Sequence, residues 1–321
     1  MDDHSHTRPL WMHLKRHRPD PPARPALQPS DFPQLQRAGE GVAATAQRLL
    51  TRWVKATLLL TVLAAAMGPI EHAWAGWIAA VSFAIALMLG VVALRRDIEA
   101  RWYDARALAE TVKSMSWKYA VGSSDYPKNG ADEPTVQLHF EERLATLLPA
   151  LVTLDALPPP EPASHDEIRA LRQAPLATRA DAYLNGRLLD QQRWYTASAM
   201  HHRAWARLWQ TAGIVLQVLG VVGAVLKGLD KTHIDWLGVA AAAAAATTAW
   251  LQTKDHVTLS RAYSVTAYEL TLAAAHRPAA DPSISATDAE QRWAAYVDDT
   301  EEAISREHNM WLGRRREPEL M

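Results

Sequence analysis

The sequence predicts an all-α integral membrane protein with two transmembrane helical hairpins, four spans in all, and a helical cytoplasmic bundle. Three observations carry that prediction. Four long runs lack charge and come in two pairs, each pair joined by a short polar turn. Seven of the 13 tryptophans (Trp53, Trp74, Trp77, Trp205, Trp209, Trp236 and Trp250) sit at or near the ends of those runs, where interfacial belts place them. No segment carries the alternating pattern of a strand. The mean hydropathy of −0.17 looks like that of a soluble protein. It averages two materials, because the four runs hold one of the 69 charged residues.

In chain order, residues 1–36 contain seven prolines and no periodic apolar pattern, so a disordered Pro-rich tail is expected there. Its histidines (His4, His6, His13, His17) read as solvated. The tail has no apolar core of a cleavable signal. The first run spans Ala56–Ile70, 15 residues, lengthened toward Trp53 if Lys55 snorkels. The second spans Ala73–Leu94, 22 residues. A bilayer core requires about 20 helical residues. Gly68, Pro69, Glu71 and His72 form the turn between them.

A helix without breakers follows from Arg95 to about Tyr119, then a loop at Gly122–Pro134. A second helix is expected over Val136–Leu151, with Leu138, Phe140, Leu144, Leu147 and Leu148 as its apolar face. The Pro158–Pro162 stretch reads as a stiff linker. Ser164 with Glu167 forms a capping box for the next helix. From Thr178 the helical pattern of Ala180, Leu184, Leu188, Tyr195, Ala199 and His202 runs straight into the third run, Leu208–Leu226, 19 residues. The fourth, Ile234–Thr253, has 20 residues, Asp235 at its start and seven alanines at 240–246. Alanine is only weakly favourable in lipid, so this helix needs a protein neighbour, and Gly220 and Ala224 offer a small-residue face. Lys254–His276 is helical, and Thr287 with Glu290 caps a last helix reaching about Leu312. The domains are therefore 1–36 (tail), 37–152 (first two-span domain), 153–163 (linker) and 164–316 (second two-span domain).

Cations set the orientation. Arg48, Arg52, Lys55, Arg95, Arg96, Arg101, Arg203, Arg207 and Lys254 flank one side, and only Lys227 and Lys231 lie in the turns. This bias puts both termini and the middle region in the cytoplasm.

Chemistry is excluded more than indicated. A net charge of −1 offers no basic excess for nucleic acid, and zero cysteines removes thiolate and iron–sulfur chemistry. Phosphate-loop, dinucleotide, nucleophile-elbow and paired-His zinc patterns are missing, so no enzyme, cofactor or metal centre is expected. Glu71 and Asp235 stand at hairpin edges as candidate pore-mouth carboxylates, although solvation at the interface explains them more simply. One string is unusual: Arg101, Trp102, Tyr103, Arg106 and Glu110, with Lys113 and Trp117, packs cations, acids and aromatic rings onto one juxtamembrane helix. Arg106 and Glu110 are spaced to pair. Asp190, Gln191, Trp194 and Tyr195 form a related string before the third run. As isolated features these are most often packing surfaces, with an anion site the less frequent reading. An internal repeat relates Arg101, Tyr103, Ala107 and Glu110 to Arg261, Tyr263, Ala267 and Glu269.

Arg101–Glu110 with Lys113, Ser116, Trp117 and Tyr119 resembles the signature of the SLATT family, the two-transmembrane effector domains associated with SMODS nucleotidyltransferases and SLOG sensors. The second half, with Tyr183, Arg187, Asp190, Gln191, Trp194, Tyr195, Glu307 and Trp311, is similar to a sister type. The resemblance covers about residues 40–315. It implies a non-enzymatic effector of a bacterial conflict system, placed in the inner membrane. By the same resemblance such an effector is expected to oligomerise on a nucleotide or partner signal and to form pores or disrupt the membrane. With no sensor or synthetase in this chain, the signal would come from a separate nucleotide-signalling protein or a cyclic nucleotide. Two other classes fit the residues. One is a membrane scaffold or sensor that recruits a cytoplasmic partner and conducts nothing. The other is a small ion channel or transporter, which ranks last because Gln217 is nearly alone as a polar side chain at mid-membrane depth.

Overall fold

A computed structural model describes residues 27–157, 165–232, 236–279 and 281–316. The tail through residue 26, the Pro158–Pro162 linker, Ser164 and Asp235 lie outside these residues, as do the side chains of 94–96 and 306–316, and with them Glu307 and Trp311. Among the described residues all regular structure is helical.

Two long helices organise the molecule. Helix α1, Gln34–Met67, is 34 residues long, about 50 Å at 1.5 Å per residue. Its C-terminal half pairs with α2, Ala73–Arg96, and its N-terminal half pairs with α3, Ile98–Val121. The second half of the chain repeats this plan. Helix α7, Leu176–Tyr183, continues through a π turn at Leu184–Leu188 into α8, Leu189–Gly228. The far half of α8 pairs with α9, Trp236–Lys254, and its near half with α10, His256–Ala275.

Each return span bends, without reversing, into the helix after it at one left-handed aspartate, Asp97 or Asp255, each at φ 43°. Aspartate tolerates this region because its short side chain bonds locally. Two bends of one kind at matching places support the internal repeat.

Small residues let the long helices approach closely. A Cβ on Gly39 would stand 3.0 Å from the Ala105 carbonyl of α3. A Cβ on Gly223 would stand 2.6 Å from Trp236 Cβ, and one on Gly220 3.1 Å from Ala240 Cβ. The small-residue face of α8 is thus Gly213, Gly220 and Gly223. Gly220 was expected; the tightest approach is at Gly223 rather than Ala224.

The far halves of the helices expose their apolar side chains: Leu59 is 70% exposed, Trp77 75%, Leu87 65% and Val221 61%. A water-soluble protein buries such a surface. Three described helices are long and apolar enough to cross a membrane: α1, the Ala73–Ala93 part of α2, and the continuous Leu176–Gly228 helix. Helix α9, over its described residues, is not among them.

The opposite end holds one core built by both halves. Val112, Trp117 and Tyr119 of α3 pack with Tyr183 and Leu188 around the π turn, Tyr195 and Ala199 of α8, Tyr263 and Leu270 of α10, and Trp293 and Val297 of α11, Ala286–Arg316. Helices α4, Glu133–Ala145, and α5, Leu148–Thr153, cover α3 and α1, and α6, Asp166–Gln173, packs on α3.

Four sequence expectations are corrected in detail. Residues 27–36 are ordered: Pro29–Asp31 forms a 3-10 turn, Phe32 is buried 6.3 Å from the Trp117 ring, and α1 starts at Gln34. The Val136–Leu151 helix is broken at Thr146–Leu147 into α4 and α5. Its buried face is Val136, Phe140 and Leu144, and Leu138 points to solvent. The last helix is capped by Ser285, whose hydroxyl accepts from the Asp288 N–H, while Glu290 turns inward.

Candidate functional site

The shared core is fastened by three arginines, each almost wholly buried: Arg172 of α6, Arg179 of α7 and Arg187 of the π turn. Burying a guanidinium is costly unless it is paired; each of the three meets a carboxylate, and of their nitrogens Arg187 Nη1 lacks a hydrogen-bond partner among the described residues. Helix α3 ends at Val121, and Gly122 at φ 81° closes it. Its last carbonyls lack intrahelical donors and carry the negative end of the helix dipole. Arg172 Nη1 donates to the Tyr119 carbonyl at 2.7 Å, and Arg179 Nη1 donates to that of Val121. Trp293 Nε1 donates to the Val121 carbonyl as well, at 2.9 Å. Arg172 also holds Glu133 through Nε and Nη2, and Arg179 pairs with Glu290 of α11. Burial pushes the Glu133 carboxyl up, but the Arg172 and Lys128 cations bonded to it leave it below the ordinary carboxylate range.

Arg187 makes the most buried pair. Its Nε and Nη2 donate to both oxygens of Glu301 of α11 at 3.0 and 2.9 Å, and Tyr183 OH donates to Glu301 at 2.9 Å. Glu110 of α3 lies 3.8 Å from the same guanidinium. Glu110 therefore faces across the two halves and not only along its own helix. Arg106, its expected partner, lies 5.9 Å over the ring of Trp194 of α8. The two sequence strings thus meet: Arg106 with Trp194, and Glu110 with Arg187.

The other members of those strings divide by position. Trp117 is core, edge-on to Tyr183. Tyr195 is buried against Tyr263, with ring centroids 5.5 Å apart. Arg101 Nη2 donates to the Leu154 carbonyl, tying α3 to the end of α5. Asp190 is exposed near Arg193. Lys113 and Gln191 are partly exposed, and Glu71 is exposed at its turn. Trp102 and Tyr103, with ring centroids 4.4 Å apart, reach a cavity instead.

That cavity, about 780 Å³, lies where the spans leave the core, between the two hairpins. Helices α1, α3, α8, α9 and α10 all contribute walls. Lys55 and Lys254 stand 5.4 and 5.2 Å from the Trp250 ring, and Lys254 donates to Thr51 of α1 at 2.7 Å. His202 and His256 face each other at 2.9 Å between their Nδ1 atoms, outside the spanning runs. Burial and the facing His256 push His202 down to about 4, and burial with His201 and Lys254 also lowers His256. The pair is neutral at pH 7, one ring donating and the other accepting. Among the described residues no cluster of His, Asp and Glu is arranged to hold a metal.

Sequence reading missed the arginine clamp. Its only sequence signal was Tyr183 with Arg187 in the family resemblance; the carboxylates of the clamp lie up to 114 residues away in the chain.

Apolar hairpins whose long helices are fastened at one end into an ion-paired helical core define a membrane protein with a polar body continuous with its spans. The particular kind follows from comparison with known families. Residues 33–180 match the SMODS and SLOG-associating 2TM effector domain 3, and residues 183–311 match the SMODS and SLOG-associating 2TM effector domain 1. The chain belongs to the SLATT family, as two tandem domains of different subtypes. No curated protein and no solved structure matches it.

Proposed function

We propose that this protein is a non-enzymatic inner-membrane effector of a bacterial antiphage system, which oligomerises on a signal and permeabilises the membrane. The observation that carries the reading is the exposed apolar surface on paired helices that emerge from one shared core. Membership of an effector family supports it.

The proposal takes the chain to cross the membrane four times. Helix α10 packs back on the near half of α8, where Ser260 Oγ donates to the Ala199 carbonyl at 3.1 Å. If α8 leaves the core through the bilayer, α9 has to return the chain through it. Helix α9 needs less hydropathy because α8 and α1 flank it. The cation bias supports an orientation with the core and both termini in the cytoplasm. In the resting state the arginine clamp holds the spans of the two halves in fixed relation. A nucleotide or a partner protein that repacks α11 or α3 would release them to assemble with other copies.

Expression induced in intact cells to a density that drives assembly without the signal, followed with a potential-sensitive dye, tests this. Loss of membrane potential within minutes is expected. Sustained potential with abundant protein in the alkali-resistant membrane fraction refutes it. Reconstituted protein that passes no dye yet retains one stable cytoplasmic partner would instead favour a scaffold.

A further inference from the structure

We propose that the cavity between the hairpins is a binding site for an anionic phospholipid, with the phosphate held by Lys55 and Lys254 and an acyl chain running into the membrane between α1 and α9. The inference rests on reading both hairpins as membrane-inserted.

Two ammonium groups converge on one Trp250 ring from different hairpins. Among the described residues neither has a carboxylate partner, and Asp255 is the one carboxylate on the cavity wall. Two like charges held on one ring repel, and a phosphate between them removes that repulsion.

Polarity changes along the cavity. Val62 lies seven residues beyond Lys55 on α1, and Ala246 eight residues before Lys254 on α9. Both are wall residues, so the cavity descends about 10–12 Å from the cations toward the membrane centre. Its deep end is lined by Leu59, Val62 and Ala246 with the hydroxyl-bearing Thr247, and its cation level by Trp250. A soluble phosphate compound fits the cation level and leaves the deep end dry and unfilled; a phospholipid fills both. The lipid would join hairpins that otherwise touch mainly through α1 and α9, and so would set the resting distance between them.

The full-length protein, purified in detergent, is titrated with phosphatidylglycerol, phosphatidylcholine, glycerophosphoglycerol or inorganic phosphate while thermal unfolding is followed. Saturating phosphatidylglycerol is expected to raise the midpoint by about 5 °C, and the other three to leave it unchanged. Lys55→Gln with Lys254→Gln is expected to weaken phosphatidylglycerol binding about thirtyfold, roughly fivefold per lysine. Arg52→Gln with Arg207→Gln removes the same charge from exposed positions of α1 and α8 and is expected to bind within twofold of wild type. Ala246→Phe fills the deep end, keeps both lysines, and is expected to weaken binding as well. Equal shifts from glycerophosphoglycerol or phosphate would assign a soluble phosphate ligand and overturn the lipid. Equal weakening by the Arg52/Arg207 control, or no shift with phosphatidylglycerol, also overturns it. Binding is read without conductance: depolarisation retained without lipid binding defeats this inference alone, and lipid binding without depolarisation defeats the proposed function alone.

Discussion

Replacing Glu301 by alanine removes the acceptor of three hydrogen bonds, from Arg187 Nε, Arg187 Nη2 and Tyr183 OH. It leaves a guanidinium only 1% exposed. Breaking a buried pair from one side costs about 3–5 kcal/mol. Glu110, 3.8 Å away, remains as a second carboxylate, so the loss falls near the lower value, about 3 kcal/mol. Arg187→Met leaves the Glu301 carboxylate with only the Tyr183 hydroxyl, so the loss falls near about 5 kcal/mol. Replacing both, Arg187→Met with Glu301→Leu, removes both charges and refills the volume. That double variant is expected within about 1 kcal/mol of wild type. Thermal unfolding followed by circular dichroism in detergent reads these as midpoint losses of about 6, 10 and 2 °C, at roughly 2 °C per kcal/mol for a chain of this size. A double variant whose loss equals the sum of the two singles would show that the residues act independently, and the clamp reasoning would fail.

The facing histidines predict a pH dependence. An unfolded chain protonates His202 near pH 6.5, but the folded one only at about pH 4. Between these values the unfolded state binds more protons, so stability falls as pH drops. The slope between pH 6.5 and 4.5 is expected to flatten in His202→Gln, and an unchanged slope would contradict the facing-pair geometry. In the second hairpin, Gly223→Leu drives a side chain into Trp236 and is expected to cost about 1–3 kcal/mol; Gly228→Ala, which meets open space, is expected to be nearly neutral in the same melt. Arg106→Glu exchanges a cation over Trp194 for an anion at the seam of the two halves. It is expected to abolish depolarisation with full membrane insertion, and wild-type activity in that variant would show the seam to be dispensable.

The hairpins and the long helix from Thr178 into the third run were legible because lipid exposure and helix period write themselves into local composition. What failed to show locally was anything that crosses the chain. Arg187 stood out only as part of the family resemblance, since burial of a charge becomes visible only beside its partner Glu301. Spacing along one helix pairs Arg106 with Glu110, yet Glu110 also faces Arg187 and Arg106 covers Trp194. Glu290 stands three residues after Thr287, as a capping box requires, but Arg179 draws it inward and Ser285 takes over the cap. The prolines at 29 and 33 marked a tail by composition, whereas burial of Phe32 against Trp117 orders that segment. The cavity, finally, is walled by five helices from both halves, and no run of sequence contains it.

The central claim is that both hairpins cross the bilayer from one shared cytoplasmic core. The natural chain has no cysteine, so single cysteines report position without background. Glu71→Cys and Lys231→Cys mark the two turns, and Arg292→Cys marks α11 of the core. With a membrane-impermeant maleimide and intact inner membranes, the account predicts labelling of both turns and none at position 292 until the cells are lysed. Protection of position 231 together with labelling at 71 would contradict it, leaving one hairpin in the membrane and the second folded beside it.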